Sequence, residues 1–246
     1  MSTPVKFVAA LKGVREVSLL GTADLPYWRE VLAKEGLIAA ERDGAAQVMV
    51  VAADARFRGI SFREVSFSVL VSLPAELPGR EAAYLVAAFN SRRLFALSER
   101  LFFSTPYRHA DLVVSASAPP PVAIEVRRRG RLHFAAQMAT EAADPAGRVS
   151  DASEGGWEGP VFLPADGRGS GAAGKYFIAR VSGRTHRRPF AESKDSFTIM
   201  SSRDDAVFTA LRDSGFVPRE WAVRVDAAHA KSKTYTRMPT PAGATP

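Results

Sequence analysis

The pattern of hydrophobic and polar positions reads mainly as strands, with a few short helical insertions. Residues 45–53 form a run of Ala, Val and Met too apolar for a half-exposed strand. Over residues 60–73 the pattern alternates. Val65, Phe67 and Val69 define an apolar face, while Phe62, Glu64, Ser66 and Ser68 share the opposite face, either solvated or lining a small polar interior. Further strands are predicted at 82–89, 111–117, 122–127, 132–140, 161–163, 175–182, 197–200 and 221–227, with Gly130 in a hairpin turn between the third and fourth of these. Helical spacing places Trp28, Val31 and Leu32 on one face of a helix that starts near Asp24, carries Pro26 in its first turn and ends before Gly36. A second helix is predicted over 91–101 with Ser91 as N-cap, and a third over 204–213, closed by Gly215. Residues 141–158 lose periodicity and read as a long loop or mobile flap. The tail from 238 is rich in Pro, Thr, Gly and Ala and reads as frayed. Adjacent strands are joined by turns rather than by regular helical crossovers. The expected class is therefore α+β, with a largely antiparallel sheet and short helices, in one domain over 1–237 followed by a flexible C-terminal tail over 238–246.

Composition narrows the classes. With 246 residues and 46% hydrophobic side chains, the chain can build a substantial core. The absence of cysteine excludes disulfides and thiolate metal sites and fits a cytoplasmic location. No apolar run approaches the ~20 residues a membrane helix needs, so no membrane partner is expected. The net charge of +7 raises the question of nucleic acid. The basic residues cluster at 127–131, 184–188 and 231–233, at predicted strand ends and turns and in no recognisable nucleic-acid motif, so they read as solvated hairpin ends and nucleic acid is disfavoured.

Several motifs lead nowhere. Gly169, Gly171 and Gly174 fit G-x-G-x-x-G but run into a strand instead of opening a helix, so no dinucleotide cofactor is implied. His109, His133, His186 and His229 lie in separate segments without ligand spacing, so no metal is expected. No G-x-S-x-G elbow is present.

Two constellations carry chemistry. In the first, Glu64, Arg100, Tyr107 and Arg108 combine a carboxyl, guanidinium groups and a phenol, which could converge on a carbonyl or carboxylate ligand or form a structural ion pair. The second is the stretch 224–235, where a strand ends in the donors His229, Lys231, Ser232, Lys233, Thr234 and Tyr235, suited to an anion or to solvated terminal charge.

These residues resemble the acetoacetate decarboxylase-like superfamily over roughly residues 13–116. Gly13-Val14-Arg15-Glu16-Val17 is similar to its early Arg-Glu segment, Phe62-Arg63-Glu64 to its aromatic-x-Glu strand, and residues 100–110 to its Gly-Arg-Glu to Pro-Lys-Lys stretch. The resemblance implies a barrel- or cone-like sheet around a polar cavity and, by analogy, a homo-oligomer. It also implies that Arg15 takes the active-site arginine position, Glu64 that of a glutamate, and Tyr107 that of the imine-forming lysine. Arg108 replaces a second lysine, and Val48 stands where the family has another glutamate. A phenol forms no imine, so decarboxylation by the family route is not expected.

The leading expectation is an enzyme acting on a small anionic oxo- or carboxylate-bearing molecule, in a lyase, hydratase or isomerase step. Glu64, Tyr107 and Arg15 would be catalytic, and Arg100, Arg108, His229 and Lys231 would bind substrate. The alternatives are a non-catalytic small-molecule binding protein on the same scaffold and, third, a basic nucleic-acid-binding module.

Overall fold

The computed structural model describes residues 5–73, 81–116, 122–139, 153–165, 174–200 and 205–236. In chain order the elements are β1 (Phe7–Ala23), α1 (Leu25–Ala33), β2 (Glu41–Arg42), β3 (Ala45–Phe57), β4 (Ile60–Ser72), β5 (Glu81–Asn90) and α2 (Arg93–Phe103). They continue with β6 (Tyr107–His109), β7 (Asp111–Ser115), β8 (Val122–Arg128), β9 (Arg131–Met138), β10 (Ser153–Phe162), β11 (Lys175–Pro189) and β12 (Ser196–Ile199). The last three are α3 (Ala206–Asp213), β13 (Val217–Ser232) and β14 (Tyr235–Thr236). The α+β class with a largely antiparallel sheet and three short helices is as the alternation predicts.

Local chemistry sets the turns. Arg58-Gly59 and Arg129-Gly130 each have positive φ at both residues (48° and 83°, 50° and 75°), the two-residue turn whose twist matches that of paired strands. Asp24 caps α1 by accepting from the Tyr27 N–H at 2.6 Å, and Pro26 sits in the first turn, where a missing N–H costs nothing.

The large sheet runs β1-β13-β11-β10-β5-β4-β3-β2, and β1 also pairs antiparallel with β3, which closes a ring of seven strands. Most pairings are antiparallel. β5 pairs parallel with β10 through Ala83 and Tyr84 and with β6 through residues 88–90. A separate sheet, β12-β9-β8-β7, packs with α1 and α3 on the outer face. There Phe67 and Phe89 meet Phe208 of α3 at 5.5 and 5.6 Å between ring centroids, and Phe67 meets Phe134 of β9 at 5.2 Å. A ring this small has room inside for side chains or at most one small ligand. The inner face accordingly carries small groups such as Ala53, Ala83, Ala88, Ser66 and Ser68, with Tyr107, Val161 and Phe177 filling one end.

Several sequence expectations change, among them the N-cap of α2, which is Arg92 and not Ser91. Residues 7–23, which the pattern left without an element, form the longest strand, because β1 is hydrogen-bonded on both edges. Residues 153–158, expected to belong to a long loop, are the start of β10. Backbone pairing with β11 from Ser153↔Thr185 to Phe162↔Tyr176 holds this Gly- and Glu-rich stretch extended without side-chain alternation. The basic run 184–188, expected at a strand end, lies inside β11. Residues 117–121, 141–152, 166–173 and the tail at 238–246 lie outside the described residues.

β1 crosses closely against the chain at the start of β13. A Cβ placed on Gly21 would stand 2.3 Å from the Val217 carbonyl oxygen and 2.5 Å from the Phe216 ring. Backbone cannot yield there as a side-chain tip would. Gly21→Ala should lower the unfolding free energy by about 1–3 kcal/mol, read as a shift in urea midpoint at unchanged slope.

Candidate active site

Strand register assembles a polar layer on the inner face of the ring. Glu16 of β1 lies opposite Ala53 of β3, Ala53 opposite Glu64 of β4, and Glu64 opposite Asn90 of β5. Residues directly opposite in register share a face, so this row points inward together. On the other side of β1, Glu16 is opposite Arg224 of β13, and Arg224 is opposite Thr185 of β11.

Arg224 and His229 are five residues apart, and a regular strand would send them to opposite faces. A bulge corrects this. Register between β1 and β13 shifts between Val14↔Ala227 and Glu16↔Arg224, and Asp226 takes φ 62°. Gly183 on β11 makes room for the distortion: its φ is 140°, and a Cβ there would sit 3.1 Å from the Ala227 Cα. As a result Arg224, His229 and Lys231 all reach the inner cluster from one strand.

Two linked sets of contacts result. Around Glu16, which is almost fully buried, Arg224 donates to Oε1, Ser18 Oγ donates to the same oxygen at 3.1 Å, and His229 Nε2 lies 2.7 Å from Oε2 at an angle outside ordinary hydrogen-bond geometry. Arg224 Nε also donates to Thr185 Oγ1 at 2.8 Å. Burial alone would raise the Glu16 pKa, but His229, Arg224 and Ser18 outweigh it and hold the carboxyl below its ordinary value.

Around Glu64, the Tyr107 hydroxyl donates to Oε1 at 2.5 Å. Burial is the largest influence and raises the Glu64 pKa; Glu99 adds to the rise, and Tyr107, Lys231 and His229 oppose it without cancelling it. Tyr107 is pushed well above its ordinary value, first by burial and then by the Glu64 and Glu99 charges, so its hydroxyl stays protonated as a donor. Lys231 pairs with Glu99, which also accepts from Thr105 Oγ1 at 3.1 Å. The Lys231 ammonium lies 4.4 Å from the Phe177 ring centre, 4.7 Å from that of Phe103 and 5.7 Å from that of Tyr107, an aromatic enclosure for a cation.

Of the residues singled out in the sequence, the ring brings together Glu64, Tyr107, His229 and Lys231. It does not bring Arg15, whose side chain is 59% exposed on the other face of β1 and pairs with Asp54 at 2.7 Å. Alternation along β6 separates Tyr107, which points inward, from Arg108, which reaches Asp205 at the start of α3 at 2.5 Å on the outer side. Arg100 also faces outward from α2, and its neighbour Glu99 is the residue of that helix that enters the cluster. Val48 belongs to the outer-face core.

Glu16, Glu99 and Arg224 were not singled out for the site. Glu16 left a signal, a charged residue at the same parity as Val14 and Ser18. Arg224 left none, because a bulge sets its direction. Among the described residues no three His, Asp or Glu side chains converge as a metal site requires, and no helix is long and apolar enough to cross a membrane.

No family model and no curated protein matches the sequence. Solved structures do match in shape along nearly the whole chain. Acetoacetate decarboxylase from Legionella pneumophila superposes with a TM-score of 0.62 at 10% identity, covering 97% of this chain and 92% of that one. The enduracididine biosynthesis enzyme MppR, solved with pyruvate, gives 0.59 at 12% identity, with coverage of 97% and 92%. An acetoacetate decarboxylase-like enzyme from Sphingomonas wittichii RW1 gives 0.57 at 14% identity, with coverage of 93% and 92%. The fold is acetoacetate decarboxylase-like. In this decarboxylase-like ring the inner layer pairs each carboxyl with a donor: Glu16 with Arg224, Glu99 with Lys231 and Glu64 with Tyr107.

Opposite shifts at two carboxyls give the decarboxylase-like fold a two-sided pH response. Glu16, with its pKa lowered, contributes stability that is complete above the ordinary carboxylate value and is lost as pH falls through the lowered one. Glu64, with its pKa raised, contributes stability that is complete below the ordinary value and is lost as pH rises through the raised one. In urea unfolding at a series of pH values, Glu64→Gln should remove the decline on the rising side and keep the acid decline. A variant profile that overlays the wild type would contradict the desolvation assigned to Glu64.

Proposed function

We propose that this chain is an enzyme acting by acid/base chemistry on a small oxo acid or related carboxylate within the ring, with Glu64 exchanging the proton. The observation that carries this reading is the 2.5 Å hydrogen bond from Tyr107 to a Glu64 carboxyl whose pKa is raised by burial. Such a carboxyl is suited to take a proton from the carbon beside a carbonyl and to return it. The electron pair released from that C–H bond moves to the carbonyl oxygen as an enolate. Tyr107, still protonated, is the donor that would stabilise it.

The Lys231 ammonium is the cation given the substrate carboxylate, which would take the place of Glu99, with the His229 imidazole as a further contact; Arg224 holds Glu16 and Thr185 together and is left in place. Tyr107 cannot form an imine and the Lys231 amine is held in an ion pair with Glu99, so this reading takes the step through an enolate. The pyruvate complex of a structural neighbour supports an oxo acid as the substrate class. Arg15, Arg100 and Arg108 have no part in this reading, because they face away from Glu64.

A second reading, a binding protein without turnover, is favoured by the fact that Glu16 and Glu99 are already matched to cations, which a ligand could exchange without any bond being broken.

Exchange of the pyruvate methyl protons in deuterated water, followed by proton NMR, separates the two. The wild-type protein should accelerate exchange, and Glu64→Gln should abolish it while pyruvate still binds. Tyr107→Phe should move the rate's acidic midpoint upward, since the phenol's hydrogen bond holds the Glu64 pKa down. Saturable pyruvate binding with no exchange by the wild type would establish the second reading and sink the first.

A further inference from the structure

The outer side of β6 opens on a second feature, which shares only Tyr107 with the inner cluster among the residues named above. A cleft of about 710 Å³ forms where three separate stretches meet: α2 with Arg93 and Arg100, β6 with Arg108, and the β8–β9 hairpin with Arg127, Arg128 and Arg129. In the sequence the hairpin run reads as a solvated end, and nothing in its spacing shows that it faces arginines from two other elements.

Some of these charges hold the fold. Arg108 and Arg128 both grip the fully buried carboxylate of Asp205, the N-cap residue of α3, and Arg127 Nε donates to Glu125 at 3.0 Å. One further carboxylate, Asp111, lines the cleft. Among the described residues, three carboxylates against six guanidinium groups leave an excess of three positive charges. The side chains of Arg93, Arg100 and Arg129 make no hydrogen bond or ion pair among the described residues. Arg93 and Arg100 are seven residues apart on α2 and so project from the same side of the helix. Arg129 occupies a left-handed turn position, φ 50°, where Asn or Gly is the easier residue.

We propose that this cleft is a binding site for a compact polyanion carrying two or more phosphate groups. Guanidinium forks match phosphate oxygens in pairs, and charge gathered in a concave wall attracts anions far more strongly than the same charge spread over a surface. A single carboxylate would answer one of the three free charges, whereas a diphosphate or triphosphate answers all of them. The volume falls within the range of small-ligand sites, roughly 300–1,000 Å³. The walls come from three elements and enclose a short ligand, unlike the extended basic stripe that a nucleic-acid strand requires. Tyr107 borders the cleft, but its hydroxyl turns inward to Glu64 while Arg108 reaches Asp205 on the outer side, so the arginine groups are separate from the Glu64 chemistry.

The test is calorimetric titration of the full chain with inorganic tripolyphosphate at fixed ionic strength, beside orthophosphate and a short single-stranded DNA. The variants are Arg100→Gln and Arg129→Asn, alone and together. Both leave the Asp205 pairs intact, and the second suits its turn, so unchanged melting should confirm folding. The wild type should bind one tripolyphosphate saturably and much more tightly than orthophosphate, and each variant should weaken binding roughly tenfold. Pyruvate proton exchange should be unaffected in the same variants. Tripolyphosphate binding no tighter than that of orthophosphate, or equal in the double variant, overturns the proposal, as does DNA binding that these residues govern while tripolyphosphate fails to bind.

Discussion

Everything in this molecule follows from β1 being hydrogen-bonded along both edges, to β13 on one side and β3 on the other. A sheet of this length has two exposed edges unless something joins them. β1 joins them, and the closure divides the side chains of seven strands into an inside and an outside. The outside is a conventional core of large apolar groups packed under two helices and a second sheet. The inside is too narrow for that, and its small residues leave space that carboxyls, cations and a phenol occupy. Buried charge is tolerable only when it is matched, and each inner carboxylate has a partner from a different strand or helix.

The fold was legible where a strand has one apolar face. Val65, Phe67 and Val69 gave away β4, and with it the fact that Glu64 shares a face with Ser66 and Ser68. β1 was hidden because its two faces are both buried toward its end, so alternation fades over Val17, Ser18 and Leu19. β10 was hidden for the opposite reason: Gly155, Gly156 and Gly159 supply backbone hydrogen bonds and little side-chain pattern. Glu64 and Tyr107 could be proposed from their local strand context and from resemblance. Arg224 could not, because its direction depends on a bulge at Asp226 and on the space left by Gly183 on the neighbouring strand. The arginine cleft was invisible for a related reason, since its three walls are distant in sequence and each alone looks like ordinary solvated charge.

The inner layer and the outer cleft use charge differently. Inside, carboxyls and cations are nearly balanced and desolvated, so small changes in environment move proton affinities in opposite directions at Glu16 and Glu64. Outside, guanidinium groups exceed carboxylates and remain partly hydrated, so the excess acts through attraction and not through altered titration. Asp205 belongs to the outer side. It is fully buried, yet its partners Arg108 and Arg128 extend into the cleft, so part of the anion-attracting wall also anchors α3 to the body.

Tyr107 and Arg108 are chain neighbours that serve opposite sides of one three-residue strand. Substitutions can therefore alter either surface without touching the other, and the two can diverge independently as long as the length of the connection 104–106 is kept. A single inserted or deleted residue there would exchange the two side chains, driving a guanidinium into the ring and a phenol out toward α3. Evolution along this segment is thus free in residue type and closed in residue count.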